Sequence, residues 1–140
     1  MDNFFAFVVN HWALWTALVI LLVFILLNEM KMQQGAGKSV SPQQAVSLIN
    51  HENAVVIDLR NNEMYKKGHI VDSLQESAQE ISNKKLGKYK NKPIILACSN
   101  GIQSAQVAKN LKTQGQENVL SLKGGITAWT SAGLPLVNGK

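Results

Sequence analysis

The chain has 140 residues, 46% of them hydrophobic and 16% charged, with 14 Lys and Arg against 9 Asp and Glu for a net charge of +5. That is room for one ordinary domain, which excludes mechanisms needing separate cofactor and substrate domains, and the composition excludes disorder and collagen. A single cysteine excludes an internal disulfide and an all-cysteine zinc or iron–sulfur site, and no Cys/His cluster stands at ligand spacing.

The averages conceal two different pieces. No charged residue lies between Phe4 and Leu27, and from Trp12 to Leu27 the apolar run is broken only by Thr16. A bilayer core about 30 Å thick needs about 20 apolar helical residues. Residues 1–30 are therefore expected to form one N-terminal transmembrane helix, in contact with the membrane through residues 4–27. Phe4, Phe5, Phe7, Trp12 and Trp15 suit its interfacial start. A cleaved signal peptide fits less well, because it begins with basic residues and has a shorter apolar core, whereas Asp2 is the only charge before this run. A buried core helix would need a larger body around it than the remaining chain supplies. Asn10 and His11 fall near the outer end of the span, where an interfacial position accounts for them. All 14 basic residues lie from Lys31 onward. Positive charge after the span, at Lys31 and Lys38, and none before it places the C-terminal side in the cytoplasm, where a lone cysteine is a reduced thiol.

Residues 31–39 read as a polar linker containing Gly35 and Gly37. Its Gly37-Lys38-Ser39 tail resembles the end of a phosphate-binding loop, but Met32 stands where the first glycine belongs, and an apolar helix precedes it in place of a strand. Ser41-Pro42-Gln43-Gln44 then supplies an N-cap, a proline at the first helical position and a glutamine three residues on, so a short helix follows with Ala45, Val46 and Ile49 on its apolar face. Ala54-Val55-Val56-Ile57 is a continuous β-branched run of the kind buried on both faces of a parallel sheet, ending at Asp58-Leu59-Arg60. Asn61 or Asn62 caps a turn or two of helix that stops at Gly68. Val71 to Leu74 is expected to be a short strand, and Ala78 to Leu86 a helix followed by a lysine-rich loop. Pro93 opens a second buried strand, Ile94 to Ala97, which delivers Cys98 at its carboxyl end. Ser99-Asn100-Gly101 turns the chain into a helix expected over Ser104 to Gln114, with Gly115 as its stop. A strand from Asn118 to Leu122 leads through Lys123-Gly124-Gly125 into a last helix around Ile126 to Ser131. The alternation defines an α/β domain over residues 40–137.

Cys98 is the residue with chemistry in it. A cysteine after an apolar strand is commonly a small buried hydrophobe. Here, however, the strand end opens into a glycine-containing turn and a helix, and in open α/β sheets ligands bind beyond the carboxyl ends of strands. Backbone N–H groups and the positive end of the helix dipole stabilise a thiolate at that place. Cysteine phosphatases use a similar cradle, yet they need an arginine six residues after the cysteine to hold a dianionic phosphate. That position is Ser104, and residues 99–109 contain no arginine. A persulfide carries about one charge and can be held by backbone donors alone.

Three motifs together resemble the single-domain rhodaneses, or rhodanese-like sulfurtransferases, over roughly Val40 to Leu136. Asp58, Arg60, Glu63, Tyr65, Gly68, His69 and Ile70 match the first signature in D-L-R-N-N-E-M-Y-K-K-G-H-I. C-S-N-G-I-Q-S from Cys98 has the cysteine, glycine and serine of the active loop. L-K-G-G-I-T-A-W matches the closing motif at Gly124, Gly125, Ala128 and Trp129, followed by Gly133, Leu134 and Pro135. The resemblance implies a parallel five-stranded sheet flanked by helices, with Cys98 accepting sulfane sulfur as a persulfide and passing it to a thiol or cyanide, without metal or other cofactor. It implies a loop cradle made by Ser99, Asn100, Gly101, Ile102, Gln103 and Ser104. Joined to the N-terminal span, it looks like a known bacterial arrangement, a single-pass protein of the inner membrane with its domain in the cytoplasm.

Two departures shape the expectation. Gln103 stands where active members most often carry an arginine, and Ser99 where another basic residue is frequent. Each charge-assisted contact is worth about 1.5 to 3 kcal/mol, so thiosulfate is expected to be a poor donor, and a protein or low-molecular persulfide a better one. Val71-Asp72-Ser73 replaces the usual Pro-Gly-Ala after His69. Asp58 and Arg60 are candidates to support the active loop or to tie the strand end to the neighbouring helix, His69 is expected to be a hydrogen-bonded structural residue, and Trp129 to pack the last helix into the core. Lys84, Lys85, Lys88, Lys90 and Lys92 form a solvated basic stretch that could meet anionic lipid. Nucleic acid is not an expected partner, since the lysines lack interleaved aromatics beyond Tyr89. The leading expectation is a membrane-anchored sulfurtransferase. The alternative keeps the same fold as a catalytically weak module that binds a membrane protein partner.

Overall fold

The structure is a computed structural model that describes residues 2–35, 37–83, 86–89 and 91–139, with side chains in the first stretch given for residues 6–28. It divides into two units, Met1–Gly35 and Ala36–Lys140.

The first unit holds two helices, α1 (Asp2–Asn10) and α2 (Trp12–Gly35). They meet at His11, whose N–H donates to the Phe7 carbonyl at 3.1 Å and whose Nδ1 lies 3.0 Å from the same oxygen. This corrects the expectation of one unbroken helix over residues 4–27. The polar Asn10–His11 pair interrupts it, the imidazole engaging the backbone of the preceding turn. Among the described residues no helix is long and apolar enough to cross a membrane. The linker expected over 31–39 is corrected as well, because α2 runs on to Gly35 and Ser39 already belongs to the sheet. The side chains of Phe4 and Phe5, expected at an interface, lie outside the described residues.

The second unit is a five-stranded parallel sheet with helices on both faces. Its strands are β1 (Ser39–Val40), β2 (Val55–Asp58), β3 (Leu74–Gln75), β4 (Ile94–Ala97) and β5 (Val119–Leu122), in the order β1-β5-β4-β2-β3. β2 and β4, neighbours inside the sheet, are the strands read from their continuous apolar runs. Being buried on both faces, they show no polar alternation: Ile94 and Leu96 face one core with Ile57, Ile81, Val107 and Leu111, while Ile95 and Ala97 face the other with Val56, Ala45, Leu122 and Trp129.

The helices follow from their caps. In α3 (Pro42–Glu52) Ser41 and Gln44 form the expected capping box, and in α4 (Asn62–Lys67) the Asn61 side chain accepts from the Met64 N–H at 2.9 Å. The second core is completed by α7 (Gly125–Ser131), whose Trp129 is buried with its Nε1 donating to the Pro135 carbonyl at 3.1 Å. The first core is covered by α5 (Ala78–Asn83) and α6 (Ile102–Thr113).

Several expectations are corrected. Val71 and Asp72 form a turn rather than a strand, with Asp72 at φ 59°, and the strand begins at Leu74. The helix expected to reach Leu86 ends at Asn83, and a short 3-10 turn covers Leu86–Tyr89. Of the lysine stretch, Lys84, Lys85 and Lys90 lie outside the described residues, and Lys88 stands over the Tyr89 ring at 4.8 Å. The edge strand β1 escaped the sequence reading because two residues carry no periodicity. Its pairing with β5 is flanked by the Lys38 and Val40 carbonyls, which accept from the Ser121 and Lys123 N–H groups at 3.0 and 2.8 Å. Gly37, read as linker, passes so close to α6 that a Cβ there would stand 3.2 Å from the Lys109 nitrogen.

Chain direction across the sheet reverses between β2 and β4. From β2 the chain steps outward to β3, and from β4 it steps the other way to β5. Such a switch point leaves a crevice at the strands' carboxyl ends, where ligands bind. Cys98 follows β4 there, and Arg60 follows β2, with Asp58 and Ala97 opposite each other in register.

Candidate active site at Cys98

Cys98 is 3% exposed, at the floor of the loop that joins β4 to α6. The helix begins at Ile102, two residues earlier than the sequence suggested, so Ile102, Gln103 and Ser104 are its first turn rather than loop. Its N-cap is Gly101, at φ 87°, which has no side chain to satisfy the first N–H groups. The cysteine and its neighbour take over that task. Ser104 N–H donates to Cys98 Sγ at 3.4 Å, Gly101 N–H donates to it at 3.1 Å, and Ile102 N–H donates to Asn100 Oδ1 at 3.1 Å. The sulfur thus serves as an N-terminal cap, a role that favours the anion.

The fully buried Ser104 hydroxyl lies 3.4 Å from Sγ and 3.3 Å from the Gly101 carbonyl. With a neutral thiol the hydroxyl donates to the carbonyl. With a thiolate it can turn to the sulfur. Burial by itself pushes the Cys98 thiol up, but the Ser104 hydroxyl and the N–H groups of Ser104, Gly101 and Asn100 outweigh it and hold the thiol below the ordinary cysteine range.

Under the loop lies the start of α7. Ile126 N–H donates to the Cys98 carbonyl at 2.9 Å, and Thr127 donates to the Ser99 carbonyl from both its N–H, at 3.1 Å, and its hydroxyl, at 2.9 Å. Gly125 makes this approach feasible, since a Cβ there would stand 2.3 Å from the Cys98 carbonyl oxygen and 2.7 Å from the Gly101 nitrogen. Ile126 and Thr127 were not among the residues the sequence singled out. The paired glycines before them were the signal, because a glycine where a helix starts beside a reactive loop marks close backbone approach.

Asp58 and Arg60 form a buried ion pair, Arg60 Nη2 to Asp58 Oδ2 at 2.7 Å and Nε to Oδ1 at 2.9 Å. The same Nη2 donates to the Gly68 carbonyl at 2.7 Å, which ties the end of β2 to the end of α4. No side chain of the loop is bound to either residue by a described hydrogen bond. His69 is buried, its Nδ1 2.8 Å from the Tyr65 carbonyl and its ring stacked 3.9 Å from the Tyr65 ring, while its backbone pairs with Val137. The structure therefore gathers the donors of Asn100, Gly101 and Ser104 around the Cys98 sulfur, and gives Asp58, Arg60 and His69 partners on the neighbouring strand and helix. Among the described residues, no three His, Cys, Asp or Glu side chains converge to hold a metal ion.

A parallel sheet that delivers a cysteine into the N-terminal turn of a helix defines a class of cysteine-centred α/β domains. The chain belongs within that class to the rhodanese-like domain family, whose model matches residues 41–132. It is 36% identical over 143 residues, the full length of both chains, to the Escherichia coli (strain K12) protein YibN. It is 37% identical over 97 residues to the thiosulfate sulfurtransferase GlpE of Pseudoalteromonas translucida, covering 69% of this chain and 92% of that one. The fold is that of a rhodanese-related protein from Thermoplasma volcanium, with a TM-score of 0.62 at 23% identity over 73% of this chain and 99% of the other.

Proposed function

We propose that this protein is a sulfurtransferase that carries sulfane sulfur as a persulfide on Cys98. The observation that carries the reading is the sulfur's place as acceptor of the Gly101 and Ser104 N–H groups, with its thiol held low. A thiolate is the form that attacks a sulfane sulfur. In the persulfide the outer sulfur bears the charge and lies within the same turn of donors. The first signature residues hold the fold around the loop. No step requires a metal or organic cofactor. The acceptor is a thiol or cyanide that removes the outer sulfur and returns the Cys98 thiolate.

The reading extends to the N-terminal unit. Every large apolar side chain described from Leu18 to Leu27 is exposed, so α2 presents apolar surface on all faces, and such a helix needs apolar surroundings. We infer that residues 4–27 hold the domain at the bacterial inner membrane, with the positive charges that follow keeping it on the cytoplasmic side. That the match to the Escherichia coli protein runs the full length of both chains supports treating this segment as part of the working protein. Recovery of the full chain in the membrane fraction after alkaline carbonate washing is the expected result, and its release would remove the anchor from the reading.

The test of the chemistry is intact-mass analysis of the full chain, in mild detergent, after exposure to thiosulfate and separately to glutathione persulfide. One added sulfur that cyanide removes, and that Cys98→Ser never acquires, is expected. No adduct from either donor on a thiol that still alkylates would leave the protein-binding module at the membrane as the function.

A further inference from the structure

The rim above Cys98 is unusual in what it offers a ligand. The thiol is buried at the loop floor, so a sulfur donor can reach it only with its terminal sulfur while its carrier stays outside. Of the loop side chains, Ser99, Asn100, Ile102 and Gln103 are exposed, and none is charged. Ile102 is 73% exposed, the most of any large apolar side chain in the second unit, with Val71 next at 57%. An isolated exposed isoleucine is ordinary on a protein surface. This one stands between Gly101 and Ser104, two of the residues whose N–H groups hold the sulfur.

The backbone adds a second constraint. Of the first three N–H groups of α6, that of Ile102 is taken by Asn100 Oδ1 and that of Ser104 by Cys98 Sγ, which leaves the one of Gln103. One N–H in a loop whose own side chains are uncharged suits a single negative charge. A doubly charged oxyanion needs paired, charge-assisted donors.

We propose that Ile102 selects the sulfur donor, and that the donor is a persulfide, R–S–SH, whose carrier R is apolar and uncharged and lies on Ile102. This rests on the persulfide reading of Cys98. The Cys98 thiolate attacks the outer sulfur of R–S–SH, the new Cys98 S–S bond forms as the S–S bond of the donor breaks, and the electron pair leaves with R–S⁻. The proton of the transferred sulfur then passes to solvent, leaving the persulfide anion Cys98–S–S⁻. The sulfane sulfur keeps its oxidation level, so no oxidant or reductant enters. The departing thiolate carries one charge, unlike the dianionic sulfite that thiosulfate would release.

The experiment follows the rate at which full-length chain in mild detergent gains one sulfur from benzyl persulfide, glutathione persulfide and thiosulfate. The intrinsic reactivities of the first two donors differ, but that difference cancels when variants are compared by the ratio of their rates. Ile102→Ser is expected to lower the benzyl-to-glutathione ratio about tenfold, and Ile102→Val to keep it near the wild-type value. Gln103→Arg is expected to raise the thiosulfate-to-benzyl ratio of loading rates at least about tenfold. An unchanged ratio in Ile102→Ser, in a chain still loaded by both persulfides, overturns the inference and leaves the sulfurtransferase intact. So does wild-type loading by thiosulfate as fast as by benzyl persulfide. Failure of all three donors to load Cys98 removes the sulfurtransferase reading itself.

Discussion

The N–H of Ile126, at the start of α7, donates to the carbonyl oxygen of Cys98 at 2.9 Å. Residues far apart in the chain are thereby joined in one backbone unit, since Thr127 binds the next carbonyl, that of Ser99, twice. With its carbonyls fixed from below, the loop keeps its N–H groups turned to the sulfur above. The donor set is therefore preorganised rather than assembled by the substrate, and it costs no rearrangement when charge arrives.

Glycine substitutions test that support. Gly125 and Gly133 both have positive φ, 61° and 74°, but a Cβ at Gly125 meets the backbone of the active loop while one at Gly133 meets nothing within 4 Å. Gly133→Ala should cost about 1 kcal/mol, the left-handed conformation alone. Gly125→Ala adds a backbone clash and should cost about 3 kcal/mol or more. Urea unfolding followed by circular dichroism separates the two, and equal midpoints would show that the loop yields freely.

Ser104→Ala removes the hydroxyl that turns to the thiolate but keeps the N–H at Sγ. One hydrogen bond to a charged group is worth about 1.5 kcal/mol or more. Alkylation of Cys98 by iodoacetamide at neutral pH should slow by about three- to tenfold, and the pH profile should move to higher pH. A profile that stays in place would mean that the backbone donors alone hold the thiol low.

The lowered thiol gives a signed dependence on pH. Reactivity of Cys98 should rise with pH and level off below the range where an ordinary thiol does so, near pH 8.5. The unfolded chain retains its proton in the window between the folded and the ordinary thiol values, so folding releases one there and stability gained from the thiolate grows as pH rises. That gain is complete above the unfolded value and is lost as pH falls through the folded value. Cys98→Ala should therefore match the wild type most closely at acid pH and fall behind it as pH increases. Parallel stability curves across that window would contradict the assignment.

Asp58→Asn tests the ion pair with Arg60. Both groups are buried, and removing one charge leaves the guanidinium with only the Gly68 carbonyl among its described acceptors outside residue 58. A loss of about 3 kcal/mol in unfolding free energy is expected. The alkylation rate of Cys98 in the folded variant should stay within about twofold, because the pair binds β2 to α4 rather than touching the sulfur. A large fall in that rate with little loss of stability would place Asp58 in the chemistry instead.

The parts of the fold that a sequence expresses locally were legible in it. The apolar runs at Val55–Ile57 and Ile94–Ala97, the capping box at Ser41 and Gln44, and the Asn61 cap each depend on neighbours within a few residues, and the three motifs fix their order around Cys98. Strands defined by partners were not. Ser39–Val40 is a strand because β5 lies beside it, and Leu74–Gln75 because β2 does, so no pattern in either pair announces it. The same holds at the site. The sequence determined the lone cysteine and the uncharged loop around it, since both are identities of residues. Only the tertiary structure decided that donors converge on the Cys98 sulfur, that Ile126 and Thr127 hold the loop from across the chain, and that Ile102 is left exposed, because each depends on which groups meet when the sheet closes.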